Sequence, residues 1–360
     1  MELVKRTING IDLVVDIESA SNFYVSKKSN VSFNPIITKT TEVLKLLSNG
    51  TEYSPLHLKI EITSLCNLSC DFCYIHNHIS DNNIQLNLIR PYFDYFIEKG
   101  LFLTVLTGGE CTLNPEFMDI YMYLKRRGVF VELYTNCFVL NDDIFKMLTQ
   151  YKPYRVEVSL YNSSFNSSVY QNVKRLIDGG INVVAKCTIN TVTYPFFAEI
   201  RSWCQAHKIP FYYSAEVYDA LDGTSLKKFA ISNQEKRNLY SNEIIGIMDM
   251  KKNTGVKKCF ACNSGSFSIS IDSNYQLRPC IRYPWSLFLL EHSPQEAFSL
   301  IREQVIREKG RVIHNCSGCK ARNICKMCIV RAVKNEVDGN YYAPKEYCKE
   351  MQDFYDYITK

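Results

Sequence analysis

The chain is expected to adopt an α/β fold built on a parallel sheet, and three observations point there. Between residues 55 and 215, six strand-like runs alternate with helical stretches, the pattern of β/α units. Several of those helical stretches end at glycine, a stop signal. The strands carry few charges except near their ends, as buried parallel strands should. Six β/α repeats fit a partial barrel.

Taken in order, residues 1–54 read as a small separate, β-rich unit. IDLVVDI and NFYVSKK are strand-like, VSFN is a candidate third strand, and TTEVLKLLSNG reads as one helix ending at Gly50. Ser54–Pro55 marks the boundary. Residues 55–215 carry the strands LHLKIEIT, LFLTVLT, VFVELYT, YRVEVSL, INVVAKCTI and IPFYYSA, with helices between them. Residues 216–257 connect, with one helix, NQEKRNLYSNEIIGIMDM. Residues 258–360 are dense in cysteine, short in regular structure, and close on a C-terminal helix.

Composition bounds the function. The chain has 360 residues and a net charge of +5, with basic residues spread rather than blocked, so no nucleic-acid or membrane partner is indicated. No apolar run is long enough to span a bilayer, and no secretory signal follows Met1. Cysteines at metal spacing in such a chain point to metal rather than disulfides, and to a reducing cytoplasm.

Eleven of the fifteen cysteines fall into two groups. The first is Cys66, Cys70 and Cys73, spaced C-x3-C-x2-C just after the first barrel strand. Three thiolates are one fewer than a cubic iron–sulfur cluster takes, so one iron stays open to a small molecule. TGGEC, residues 107–111, follows the second strand. There Gly108 and Gly109 let the backbone approach a ligand, and Glu110 supplies an acceptor. Both loops lie at the carboxyl ends of strands, where parallel α/β folds place function.

These two motifs, one β/α unit apart, resemble those of the radical SAM enzymes. The resemblance implies a partial (β/α)6 barrel and an iron–sulfur cluster on Cys66, Cys70 and Cys73, whose open iron chelates S-adenosylmethionine (SAM). It implies a 5′-deoxyadenosyl radical that abstracts a hydrogen atom, and a flavodoxin- or ferredoxin-type reductant. Phe72 matches the aromatic residue usual before the third cysteine. Gly108, Gly109 and Glu110 match the family's GGE motif, which holds the SAM amino group. Ser159, ending the fourth strand, matches a polar residue that meets the SAM ribose or carboxylate. Lys186 either meets the SAM carboxylate or pairs with Glu157 or Glu132.

Two departures stand out. Cys111 replaces the proline common after GGE, and Cys137 replaces the glycine usual in TNG. Some family members that invert peptide stereocentres use a cysteine as hydrogen donor, which makes both catalytic candidates. The alternative, which also covers Cys187 and Cys204, is that each is a small buried hydrophobe.

The second group is Cys259, Cys262, Cys280, Cys316, Cys319, Cys325, Cys328 and Cys348. The C-x2-C-x5-C-x2-C run from Cys316, with the later Cys348, resembles the SPASM extension of radical SAM enzymes. The resemblance implies two auxiliary 4Fe-4S clusters, three clusters in all. The nearer would be held by Cys259, Cys262, Cys280 and Cys328, the outer by Cys316, Cys319, Cys325 and Cys348. Glycine is usual near Tyr275, a further departure. Two structural zinc sites are the alternative for eight thiolates. With all its ligands supplied by protein, the nearer cluster suits electron transfer, and so net oxidation of a substrate.

By resemblance, SPASM-type enzymes mostly modify peptides, including ribosomally made precursors (RiPP maturation). Residues 1–54 then read either as a shortened winged-helix-like leader-peptide element, adding the leader as a strand, or as a cap packed on the barrel. Ile281 stands where sulfatase-maturing enzymes carry an Asp base, which argues against formylglycine formation. The leading expectation is a peptide maturase that makes an oxidative change, such as a cross-link. The alternatives are a radical SAM oxidoreductase or epimerase acting on a small molecule or peptide stereocentre, and a non-enzymatic zinc or ferredoxin-like protein. Tyr161, Glu216, Asp219 and Arg282 are unranked candidates to face the cavity.

Overall fold

The computed structural model describes residues 2–8, 11–19, 23–27, 55–75, 81–248, 257–258, 262, 264–316, 318–325 and 327–359. The expected VSFN strand, the helix ending at Gly50 and Cys259 lie outside them.

Strands β1 (Leu3–Ile8), β2 (Ile11–Asp16) and β3 (Phe23–Lys27) form an antiparallel sheet in that order. β1 was not foreseen, because Lys5 and Arg6 interrupt its apolar pattern. The partial barrel follows as β4 (His57–Thr63), α1 (Leu86–Glu98), β5 (Leu103–Gly108), α2 (Phe117–Arg126), β6 (Phe130–Thr135), α3 (Asp142–Gln150), β7 (Arg155–Ser159), α4 (Ser168–Asp178), β8 (Val183–Thr188), α5 (Phe197–Ala206) and β9 (Phe211–Ser214). Each of the six strands pairs in parallel with the next. Helix α6 (Asn233–Met248) and strand β10 (Lys257–Lys258) lead out of it.

The sheet does not stop at six strands. β11 (Ser268–Ile271) pairs in parallel with β4, matching Ile271 to Ile60. β12 (Gln276–Arg278) and β13 (Leu287–Phe288) extend the sheet in antiparallel fashion to nine strands. Tyr275, at the β11–β12 turn, takes φ 59°, the conformation glycine adopts most easily. Its hydroxyl accepts a bond from the Gln85 N–H at the start of α1, 2.8 Å away.

Helix α7 (Pro294–Glu308) is longer than the short structure expected after Cys259. Ser293 caps it by accepting from the Glu296 N–H, and Pro294 opens it, a helix-start signal present in SPQE. Strands β14 (Val312–His314), β15 (Val333–Lys334) and β16 (Tyr341–Tyr342) join β10 in a third sheet, before α8 (Lys345–Thr359).

The main core lies between the sheet and its helices. Leu58, Ile60 and Ile62 of β4 meet Ile89, Phe93 and Phe96 of α1 there, all fully buried. Strand alternation puts Lys59 and Glu61 on the opposite, inner face. The expectation of nearly uncharged strands is therefore corrected. Glu132, Arg155, Glu157 and Lys186 also stand on strands, linked by ion pairs across them.

Ile8, Leu13 and Val15 of the N-terminal sheet, with Ile17 just after β2, pack on Leu56, Phe102, Leu103 and Phe130, at the amino ends of the barrel strands. Buried Arg6 donates to the carbonyls of Ile97 and Gly128, at the C-terminal ends of α1 and α2, where a cation is favoured. Lys125 Nζ donates to the carbonyls of Ser19 and Lys152 at 3.1 and 2.9 Å. These strands thus cap the end of the barrel opposite the cysteine loop.

Candidate functional site

Thr63 ends β4, and the chain turns into the loop bearing Cys66, Cys70 and Cys73. This loop lies directly on the TGGEC loop. The Gly109 N–H donates to Thr63 O at 2.9 Å and the Glu110 N–H to Leu65 O at 2.7 Å. A Cβ on Gly108 would fall 2.2 Å from Thr63 O, and one on Gly109 would fall 2.1 Å from Leu65 O. Gly108 also takes φ 143°. The two glycines therefore admit the cysteine loop's own backbone.

Glu110 follows them in the same loop. It is only 1% exposed. Its carboxylate accepts from Thr135 Oγ1 and the Asn136 N–H, both at 2.7 Å, and from Thr112 Oγ1 at 2.8 Å. Burial pushes its carboxyl above the usual range, and those donors pull it back. Glu110 ties the β5 loop to the end of β6. There Asn136 Nδ2 reaches Asn67 Oδ1 at 2.7 Å and Cys66 Sγ at 3.9 Å. Asn136, not singled out from sequence, is a direct neighbour of the cysteine loop.

Burial raises the thiols of Cys66 and Cys73. Cys70 is pushed up to about 11, by burial first and then by the charges of Cys73, Cys66 and Asp71. Such thiols deprotonate when a cationic group offsets their mutual repulsion. Three of them on one short loop suit a cluster with one open iron. Phe72 packs edge-on against Tyr161 at 5.2 Å, and Tyr161 bonds to Ser159. Ser159 stands opposite Lys186 in the sheet register. Lys186 Nζ lies 2.9 Å from Glu157 Oε1.

Cys111 and Cys137 are 0% and 2% exposed and belong to the main apolar core. Cys137 adopts φ 55°, which explains why glycine is usual at this position. Cys187 and Cys204 are buried too. This burial supports the small-hydrophobe reading of all four.

In the C-terminal region, Cys316, Cys319, Cys325 and Cys348 all line one cavity, with Asn315, Tyr347 and Met351. Burial and the charges of Cys325 and Cys319 raise the Cys348 thiol, which marks the three as neighbours. Of the nearer set, Cys280 and Cys328 are half-buried and Cys262 is exposed. The donor sets suit iron–sulfur ligation in kind and order, although their side chains are not drawn to metal-ligand distance. Among the described residues no three or more His, Cys, Asp or Glu groups are gathered to hold a metal ion.

The inner face holds a charge cluster not foreseen from sequence, although the alternation in LKIEI placed Lys59 and Glu61 together. Burial raises Glu61 to about 7, and the Tyr74 hydroxyl donates to it at 2.5 Å. Lys59 lies over the Tyr134 ring, and burial lowers its ammonium. Of the four unranked candidates, Glu216 pairs with Arg331 at 2.7 Å, and Asp219 accepts from the Leu226 N–H at 3.2 Å. Tyr161 lies beside the cysteine loop, and Arg282 stacks on Tyr74 and Tyr218.

Comparison with known proteins agrees with this geometry. Residues 60–183 match the Radical SAM superfamily. The chain is 22% identical over 326 residues to the antilisterial bacteriocin subtilosin biosynthesis protein AlbA of Bacillus subtilis, covering 82% of this chain and 70% of that one. The fold is similar to that of Streptococcus suis SuiB bound to precursor peptide SuiA, with TM-score 0.61 and 16% identity, covering 96% and 98% of the two chains. It is also similar to anSMEcpe with bound AdoMet and Kp18Cys peptide, with TM-score 0.62 and 18% identity, covering 85% and 97%. No described helix is long and apolar enough to cross a membrane.

Proposed function

Because this chain carries a radical SAM domain, we propose that it is an enzyme that modifies a ribosomally made peptide by hydrogen-atom abstraction and completes the change by net oxidation, such as a cross-link. The observation that carries the oxidative part is the cavity lined by Cys316, Cys319, Cys325 and Cys348. Four cysteines around one space suit a cluster with no open iron, which can accept an electron but leaves no iron for substrate. The peptide part is supported by similarity to a bacteriocin biosynthesis protein and to structures holding peptides.

Cys66, Cys70 and Cys73 would hold a cluster that, when bound and reduced, would supply the electron for reductive cleavage of SAM. The protein's own part is placement and shielding. Gly108, Gly109 and Glu110 act on SAM through the loop they hold rigid. Ser159, at the strand end, offers a hydroxyl to the ribose or carboxylate. The Glu157–Lys186 pair keeps an ammonium at the mouth, its side chain 45% exposed and so able to reach a ligand. Phe72, Tyr161 and Phe229 form an aromatic wall beside the cysteines that excludes water.

In this reading Cys259, Cys262, Cys280 and Cys328 hold the nearer auxiliary cluster, and a flavodoxin- or ferredoxin-type protein supplies electrons. The test is coexpression with the peptide encoded beside the gene, followed by mass spectrometry. Loss of two hydrogens from the peptide is expected. An unmodified peptide, together with failure to form 5′-deoxyadenosine from SAM and a reductant, would overturn the proposal.

A further inference from the structure

A stack of aromatic and guanidinium groups joins the cysteine loop to the C-terminal region. Tyr74 directly follows Cys73. The Arg282 guanidinium lies 5.4 Å from the Tyr74 ring centre and 3.7 Å from that of Tyr218. The Arg331 guanidinium lies 3.8 Å from the same Tyr218 centre. Two cations this close to one ring centre must occupy its opposite faces, because on one face they would overlap.

Both guanidinia have a buried nitrogen without a hydrogen-bond acceptor, but only Arg331 has a carboxylate beside it. Arg331 pairs with Glu216 at 2.7 Å, and the Cys328 thiol lies near it. Arg282 has no carboxylate partner among the described residues, and its Nη1 is buried without a hydrogen-bond acceptor. A guanidinium nitrogen shielded from water and lacking an acceptor is costly. The planar fork is also fixed in direction by the two rings that clamp it. Arg282 further faces the barrel, where Lys59 feels its charge. The surroundings are thus short of one anion on the barrel side.

We propose that Arg282 is a carboxylate-binding residue that receives an acidic side chain or the terminal carboxylate of the peptide substrate, so that the segment bound beside the cysteine loop carries a carboxylate. Bidentate guanidinium–carboxylate bonding is strong and directional, and would hold the reacting segment in register beside the cysteine loop. A peptide with an amide in place of that carboxylate would leave the guanidinium unsatisfied, which makes the contact selective. The inference rests on the peptide reading above.

The test uses the reconstituted full-length enzyme and the peptide encoded beside its gene. Further peptides have each Asp or Glu changed singly to Asn or Gln, and one has an amidated C-terminus. Arg282→Gln is expected to weaken binding of the parent peptide at least about tenfold, with Arg282→Lys recovering part of it. One altered peptide should lose as much against wild-type enzyme, and nothing further against Arg282→Gln. SAM affinity should stay within about twofold.

If wild-type enzyme leaves the parent peptide unmodified, the peptide reading falls and the inference with it. If wild type modifies it but Arg282→Gln binds it as well as wild type, only the inference falls. Loss of SAM affinity instead would assign the cation to the SAM carboxylate. A shifted auxiliary-cluster potential with unchanged peptide binding would assign it to the nearer cluster. Either result overturns the proposal. The altered peptides leave the enzyme untouched, so the test survives a variant that fails to fold.

Discussion

The barrel wall and the C-terminal cysteine region solve the same problem differently. In the barrel, Leu58, Ile60 and Ile62 carry the fold, and the three cysteines sit on a loop outside that core. Beyond residue 310 the strands are two or three residues long. There Cys316 is part of the apolar cluster with Tyr283, Val305 and Ile313, and Cys280, Cys325 and Cys348 pack against it. Where apolar burial suffices, a metal site is added to a finished fold. Where cysteines form part of the core, the proposed clusters would make metal binding and folding one event.

The sharpest way to break this contrast is to remove iron. Chelation is expected to raise amide hydrogen exchange after residue 310 by 100-fold or more, leaving strands β5 to β8 protected, as about 3 kcal/mol of lost local stability would do. Equal exchange in both regions would end the comparison. Next comes Gly109→Ala, whose Cβ meets Leu65 O at 2.1 Å. Displacing the loop should cost about 3–5 kcal/mol. It should abolish 5′-deoxyadenosine formation in a protein that keeps its helical circular dichroism.

Cys316→Ala probes the other side. Iron should fall from about twelve to about eight per chain. SAM cleavage should persist while the oxidised peptide product is lost, as read by iron assay and mass spectrometry.

Smaller effects sharpen the picture of the barrel interior. Burial raises Glu61 from its ordinary 4.5 to about 7. Between those values the folded protein holds a proton that the unfolded chain has released, so stability falls as pH rises from 4.5 to 7 and then levels. Glu61→Gln should flatten this fall and gain roughly 2–3 kcal/mol over wild type at pH 8, measured by denaturant unfolding. Smallest is Cys137→Gly. Relief of φ 55° and loss of a buried side chain should nearly cancel, within about 1 kcal/mol. The peptide product should be unchanged. Loss of product at normal stability would restore this cysteine as a hydrogen donor.

The strands and helices of the barrel were legible because each is locally patterned. YRVEVSL, for example, contains the observed Arg155–Ser159. The cysteine and GGE loops were legible as residues, but not as mutual neighbours, since the contact between Gly109 and Leu65 joins distant segments. For the same reason the pairing of β11 with β4 was hidden. The stack through Arg282 and Tyr218 was hidden too, because no local spacing records it. Helix α7 was missed although Ser293, Pro294 and Glu296 announced it, because the neighbouring cysteines suggested irregular chain.

The pairing of Ile60 with Ile271 also sets an order in time. At roughly 5–20 residues per second, a ribosome needs roughly 10–40 s to pass from the first of these to the second. Throughout that interval the strand leading into Cys66 is the sheet's outer edge, able to pair with a foreign strand. The loop that would house the most reactive chemistry thus gains its last structural neighbour late in synthesis, when most of the chain has already left the ribosome.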